Sequence, residues 1–385
     1  MSAYEFLLTD AASSVVDSDF HLSHETIDID SAVPFSISHR RLAGGKQQGS
    51  ELITLEAGGM RVRVVPTRGM AVLDVTVGET RFGWDSPVKE VVNPAFINQE
   101  AYGGLGWLEG FNEMVVRCGY QWAGHPGIDN GELLTLHGRI QNTPASRVVL
   151  SIEDRPPYTI RLSGRVDEKC FKRCDFEVWM HLSLVPGEQR ITLRDELINR
   201  GDYAREYQVI YHNNFGAPVL EAGARLHLPV RQISPFNDYA RQGLADWDRV
   251  DPPRRDFDET VFNVYPLADH SGDTLALLHN AAADLGVAVG YNTAQLPVLT
   301  LWKNTDTPQQ GYVMGIEPGT GFAYNRRLQR DLGLVPSIGP GESRHFDLSF
   351  EFLNDAAQVA DAVARIEGLQ DGIQPEVLDT PLCAP

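Results

Sequence analysis

The chain has 385 residues, of which 33 are lysine or arginine and 52 aspartate or glutamate, a formal net charge of −19. So acidic a chain is repelled by nucleic-acid phosphates and anionic membranes, which makes both poor partners, and it argues more weakly against a highly anionic substrate. The rest of the composition, 42% hydrophobic and 22% charged, is ordinary for a globular protein with a large core. Length alone allows two domains or one large all-β unit.

Cys118, Cys170, Cys174 and Cys383 are too few and too scattered for a disulfide framework. The Cys170–Cys174 pair lacks a second pair to complete a zinc site, so no metal is expected. The opening, MSAYEFLLTDAASSVVDSDF, has neither the basic start nor the apolar core of a signal peptide, and no segment approaches 18 apolar residues. The cytoplasm is the expected location.

In chain order, residues 1–34 are acidic and without period, and are expected to form an arm or short edge elements. Glu51–Trp84 predicts at least four short strands, punctuated by Gly58-Gly59, Pro66, Gly69 and Gly78. In MRVRVVP, Met60, Val62 and Val64 alternate with arginines, the pattern of a half-buried strand. Residues 85–131 are rich in glycine and aromatics and lack alternation, as befits a functional loop or lid, with a short helix within Pro94–Asn112. Strands are predicted again at Leu133–Ile140 and through a long meander to Phe352. A helix follows over Asp355–Leu369, capped by Asp355, with Val359, Ala360, Val363 and Ile366 on one face. The tail from Asp371 to Pro385 is expected to fray. Hairpin-spaced strands with few helices predict an antiparallel all-β sandwich, and no 20–50-residue repeat points to a propeller.

Several segments place polar groups where strands are expected to meet loops. PTRGM carries Arg68; VVRCGYQWAGHPG carries Arg117 and His125; in TLHGRIQNTPA, His137 ends an apolar alternation. In YQVIYHNNFGAP the alternating Val209 and Tyr211 deliver His212 to the expected end of a strand. Imidazole titrates near neutral pH, so a histidine held there suits proton transfer. In VMGIEPGTG, Glu317 follows Val313, Met314 and Ile316 and precedes Pro318-Gly319, which should turn the chain. A carboxylate in that setting is costly to bury, its pKa should rise, and it could act as a general base. No G-x-S-x-G elbow, Walker loop, H-x-H or H-E-x-x-H spacing is present, and Gly319–Gly321 lacks a dinucleotide-binding context. Trp107, Trp122, Phe215, Trp302, Phe322 and Tyr324 are of a type to stack on sugar rings or to fill the core.

Taken together, GGKQQGSELI, PTRGM, CGYQWAGHPG, LHGRIQNTPA, YHNNFGAP and EPGTG resemble blocks of the aldose 1-epimerase (galactose mutarotase-like) superfamily, in its DUF4432 branch, over about residues 41–352. The resemblance implies an antiparallel β-supersandwich over residues 35–354, followed by a C-terminal helix and tail over 355–385. It implies binding of a monosaccharide or derivative in an open cleft, without a cofactor. Glu317 would then remove the anomeric hydroxyl proton and His212 would protonate the ring oxygen, so that the ring opens and recloses as the other anomer. His137 and either Arg117 or Arg68 would contact sugar hydroxyls, with Asn213, Asn214 and His125 as further binders.

Galactose mutarotases also carry a hydroxyl-binding aspartate between the acid and the base. Asp238 and Asp246 are the candidates here, though neither sits in a matching motif. Lys303 has no simple counterpart; with Arg68 or Arg117 it could favour an acidic, phosphorylated or sulfonated sugar, or a ketose. A non-catalytic sugar-binding protein and a sugar lyase or hydrolase remain open alternatives, as do monomer and homodimer.

Overall fold

The structure, a computed structural model, describes residues 3–383. Two large sheets pack face to face. One has ten strands, in the spatial order Arg225–His227, Asp273–His279, Gly286–Asn292, Ser343–Leu353, Arg190–Asn199, Cys174–Leu184, Ile160–Cys170, Arg147–Glu153, Ala3–Asp10 and Val15–Val16. The other has thirteen, and its middle runs Thr260–Pro266, Val298–Asn304, Val313–Gly319, Gln208–Phe215, Val115–Tyr120, Ala71–Val77. Pairing between these strands is antiparallel except where Gln232–Ile233 meets Glu376–Val377.

Period-two patterning builds the core. Phe176, Val178, Met180 and Leu182 point inward from the ten-stranded sheet and meet Val62, Val64, Tyr211, Phe215 and Ile316 of the other. At roughly 25 cal/mol per Å² of apolar surface removed from water, such rows are the main force holding the sheets together. Gln208–Phe215 and Val313–Gly319 are buried at every residue, because the core covers one face and the segment 84–137 lies against the other. Odd positions of the first strand (Val209, Tyr211, Phe215) face the core, so Ile210, His212 and Asn214 face the opposite side.

The fold departs from the sequence reading at several points. The N-terminal segment is not a loose arm: Ala3–Asp10 pairs with Arg147–Glu153 and so extends a sheet. Within Pro94–Asn112 there is no sustained helix, only 3-10 turns at Pro94–Phe96 and Gly106–Gly110 and one helical turn at Ala101–Gly104, where Tyr102 and two glycines adopt positive φ. Leu133–Ile140 does not form one strand: pairing stops at Leu134, and His137 sits in a turn with φ +58. The C-terminal helix, Ala356–Gln370, is capped by Asp355, whose side chain accepts from the Gln358 N–H at 2.8 Å. It buries Val359, Ala362 and Ile366 against Leu275, Leu277 and Leu353, while Ala360 is exposed. Beyond it the chain is anchored, through Glu376–Val377 and through Leu382 and Cys383, which pack near Phe236 and Tyr324; residues 384 and 385 lie outside the described range.

Candidate active site

His212 and Glu317 lie on adjacent strands, and neither ends a strand. Register partners Ile210–Gly319 and Asn213–Ile316 bracket them, and between these pairs the ladder lapses at Tyr211–Pro318 and His212–Glu317. Pro318 has no N–H to offer, so the break is a direct consequence of its imino nitrogen. The strand nevertheless continues to Gly319, paired on its other side with Val298–Asn304. His212 and Glu317 therefore stand side by side on one face, with His212 Nε2 3.2 Å from Glu317 Oε1.

The surroundings of the pair are aromatic. The rings of Phe111, Trp302 and His137 stand 5.1, 5.3 and 5.4 Å from the His212 ring, and Trp107 stands 4.9 Å from His137. Burial lowers the His212 pKa to about 4, partly opposed by its hydrogen bond to Asn214. His137 is driven well below its ordinary value by burial and by the neighbouring charges of His212 and His125. Glu317 is pushed well above the usual carboxylate range by burial and by the negative charge of Glu259. Neutral forms are thus favoured on both sides of the pair.

Four buried polar atoms around the pair have no hydrogen-bond partner among the described residues: Glu317 Oε1, His137 Nδ1, Trp107 Nε1 and Thr300 Oγ1. Thr300 is the register partner of Glu317 on the neighbouring strand. Buried polar atoms are normally satisfied, so a cluster of orphans beside an aromatic wall marks a place suited to a hydroxylated ligand. His125 lies at the rim, exposed, its ring 5.2 Å from Phe236 and its backbone N–H donating to the Ala323 carbonyl.

Several sequence expectations fail here. Arg68 is fully buried: Nε donates to Glu113 Oε1 at 2.8 Å, Nη2 to the Gly110 carbonyl at 2.9 Å and Nη1 to Asn142 Oδ1. All three guanidinium nitrogens are engaged with protein groups and the side chain is fully buried, so Arg68 supports the floor instead of facing a ligand. Arg117 faces the opposite side, into the core, because it is the register partner of Tyr211. There it forms a bidentate pair with Asp195 of the other sheet, and Asp195 Oδ2 also accepts from the hydroxyls of Tyr120 and Tyr211.

Lys303 also points away from His212, sharing the face of Leu299 and Leu301. Its ammonium donates to the carbonyls of Asp246, Trp247 and Arg249. Asn213 turns to the core side and donates to the Ile316 carbonyl. Asn214 is committed to His212 and to two carbonyls instead of being free for hydroxyls. Asp238 and Asp246 are exposed, each beside an arginine of its own turn.

Sequence reasoning missed three acids. Glu259 accepts the Trp302 indole N–H at 2.6 Å and brings a second carboxylate toward Glu317; in the run DFDETVF nothing distinguished it from its acidic neighbours. Glu113 anchors the floor, its carboxylate taking Arg68 and Gln141 and its carbonyl taking Trp84 and Asn214. Asp195 occupies an inward position between Leu193 and Leu197, and that misplaced polarity in the alternation was the available signal. A cavity of about 950 Å³, lined by Arg161, Arg190, Arg194, Asp273 and Asp347 among others, lies on the outer face of the ten-stranded sheet and contains none of these groups. Among the described residues no cluster of three or more metal-ligating side chains is found, and no helix is long and apolar enough to cross a membrane.

This sandwich is of the galactose mutarotase-like class. A galactose mutarotase-like protein from Clostridium acetobutylicum superposes with a TM-score of 0.56 at 13% identity, over 83% of this chain and 98% of that one. Galactose 1-epimerase from Lactobacillus acidophilus gives 0.54 at 14%, over 83% and 99%. Within the class the chain belongs to the domain-of-unknown-function family DUF4432, whose model matches residues 47–352. A proposed aldose 1-epimerase from Klebsiella pneumoniae is similar over the full length of both chains, with 47% identity and a TM-score of 0.98. No curated protein sequence matches the chain.

Proposed function

We propose that this protein interconverts the anomers of a monosaccharide or close derivative by acid–base ring opening and closure, with His212 and Glu317 as the proton-transferring pair. One group takes the proton of the anomeric hydroxyl as the other delivers a proton to the ring oxygen. The C1–O5 bond breaks, the aldehyde rotates, and the same two transfers run backwards to close the ring on its other face. The pair ends with the proton it began with, so the cycle consumes nothing.

The observation that carries this reading is the buried carboxyl of Glu317, 3.2 Å from an imidazole and without a donor of its own, inside an aromatic shell edged by orphaned polar atoms. Such a carboxyl is poised for a transferable proton instead of a fixed counter-ion. The description of the K. pneumoniae relative as a proposed aldose 1-epimerase agrees with it. Arg68, Arg117 and Lys303 are all occupied elsewhere, and Glu259 brings negative charge toward Glu317. An uncharged sugar therefore suits the site better than a phosphorylated or sulfonated one. Exchange NMR over aldoses, ketoses, uronic acids and sugar phosphates tests the reading. Acceleration of α/β interconversion for neutral sugars is expected; saturable binding without acceleration would make the protein a sugar-binding module instead.

A further inference from the structure

Basic side chains are outnumbered in this chain, yet one cavity collects them. A hollow of about 550 Å³ on the thirteen-stranded sheet is lined by Arg40, Arg41, Arg63, Arg81 and Lys89, with Asp85 as the one acid in its wall. Its volume falls in the range of roughly 300–1,000 Å³ usual for small-molecule sites. The carboxylates in contact with these cations do not balance them. Glu51 takes Arg41, Asp85 takes Lys89, and Asp74 is shared between Arg63 and Arg81. Arg40, exposed near the end of its strand, has no acidic partner among the described residues. Five cations against three carboxylates leave the hollow two charges positive, in a chain whose net charge is −19.

Two of the guanidiniums are held in place from behind. The alternation that sends Met60, Val62 and Val64 to the core turns Arg63 to the opposite face, where its register partner is Asp74. Asp74 is buried and accepts from Arg63 Nε at 2.7 Å and from Arg81 Nε at 2.6 Å. Burial pushes its carboxyl up, but the two guanidiniums outweigh burial and hold it below its ordinary value. One ionised carboxylate thus orients two cations at the cavity wall, and a fixed guanidinium fork matches a carboxylate or a phosphate.

The rest of the lining adds a second requirement. Asn112 also lines the hollow, and its Nδ2 donates to the Val88 carbonyl at 3.1 Å and the Glu90 carbonyl at 2.8 Å, which fixes the orientation of the amide. Asn112 Oδ1 is buried and has no hydrogen-bond partner among the described residues. Such an acceptor calls for a donor, which a carboxylate or a fully ionised phosphate lacks and a hydroxyl supplies. Leu42, Leu52, Leu73 and Val91 give the hollow an apolar side for a carbon backbone.

We propose that this hollow is a second binding site, for a small hydroxylated anion of the sugar-acid or sugar-phosphate kind, with the anionic group on Arg40, Arg63 and Arg81 and a hydroxyl on Asn112 Oδ1. The site is separate from the His212–Glu317 cleft and does not rest on the anomer-exchange reading. Trp84 forms part of its wall; the Trp84 ring stands 4.9 Å from that of Phe111, and the Phe111 ring 5.1 Å from that of His212, so two aromatic rings lie between the sites.

Calorimetric titration of the full chain with D-gluconate, glucose 6-phosphate and inorganic phosphate, in about 0.1 M salt, tests the site. Gluconate or glucose 6-phosphate should bind saturably, and the tighter of the two identifies the anionic group as a carboxylate or a phosphate. Inorganic phosphate should bind at least about tenfold more weakly, having no carbon backbone or sugar hydroxyl to offer. Arg40→Glu, a change at an exposed and unpaired residue, should weaken the tighter ligand by about tenfold or more. Arg161→Glu makes the same change of charge on the outer face of the other sheet and should leave the affinity within about twofold. Absence of saturable binding by both hydroxylated anions would overturn the proposal. So would an affinity that Arg40→Glu leaves alone, which would put the ligand elsewhere, or one that Arg161→Glu lowers equally, which would reduce binding to the field of the whole molecule. Inorganic phosphate binding as tightly as the better hydroxylated anion would remove the contact with Asn112, and with it the ligand class.

Discussion

The molecule buries three acid–base contacts within a few strands of one another, and they are built differently. Arg68–Glu113 and Arg117–Asp195 have partners on nearly every atom: Glu113 receives Arg68 and Gln141, and Asp195 receives a bidentate guanidinium and two phenols. His212–Glu317 is equally buried, yet among the described residues its carboxyl receives no donor and its imidazole is hydrogen-bonded at the far nitrogen alone. A satisfied pair has nowhere better to send its proton. An unsatisfied one in an aromatic shell keeps a proton that a substrate oxygen can claim. Burial of a charge is therefore a poor guide to function, and completeness of its hydrogen bonding a better one.

Breaking the satisfied side should damage the fold first. Asp195→Ala leaves Arg117 and two phenols unpartnered in the core, and a loss of about 3–5 kcal/mol is expected in denaturant unfolding. A loss below about 1 kcal/mol would mean that the network is wet or redundant. The cleft pair should behave oppositely. Glu317 has a folded pKa above its unfolded value, so its contribution is fully present below pH 4.5 and is lost as pH rises through the folded value. His212, depressed to about 4, binds a proton more readily when unfolded, so its contribution is lost as pH falls from 6.5 toward 4.

Glu317→Gln removes the first of these effects. Its stability relative to the parent protein should therefore climb above pH 4.5, by on the order of 1 kcal/mol per pH unit, until the folded value is reached. A difference that stays flat with pH would mean that Glu317 is an ordinary carboxylate. The smallest effect should come from a satisfied pair near the surface. Arg330 joins Asp129 to Glu206 but is about a third exposed, and Arg330→Ala should cost roughly 1 kcal/mol or less by the same measurement.

How much of this was legible depended on which kind of signal each residue leaves. Alternation revealed the sandwich because inward and outward positions differ in polarity along nearly every strand. It also singled out His212 and Glu317, as polar residues inside apolar runs. What it could not give was the face. Asn213 lies in the same strand as His212, and Arg117 and Lys303 in the strands beside the pair; a single step of register sends all three to the core side, where carbonyls and Asp195 engage them. Strand ends were misjudged at His212 and Glu317 because the glycines, asparagines and proline that usually end strands here interrupt one only locally. Arg68 and Asn214 lie beneath His212 with their donors taken by residues as distant as Glu113 and Asn142, and a local sequence pattern carries no trace of such partners. Glu259 left no periodic trace at all.

The central claim is that His212 and Glu317 act as one unit on a sugar. The rate of anomer exchange in the parent protein, His212→Gln, Glu317→Gln and the double variant, measured by exchange NMR on the best neutral substrate, tests it most directly. Each single change should lower the rate by about 10²–10⁴-fold with binding retained, and the double variant should be little slower than the worse single one. Losses that multiply, or a parent protein that accelerates nothing, would contradict the account.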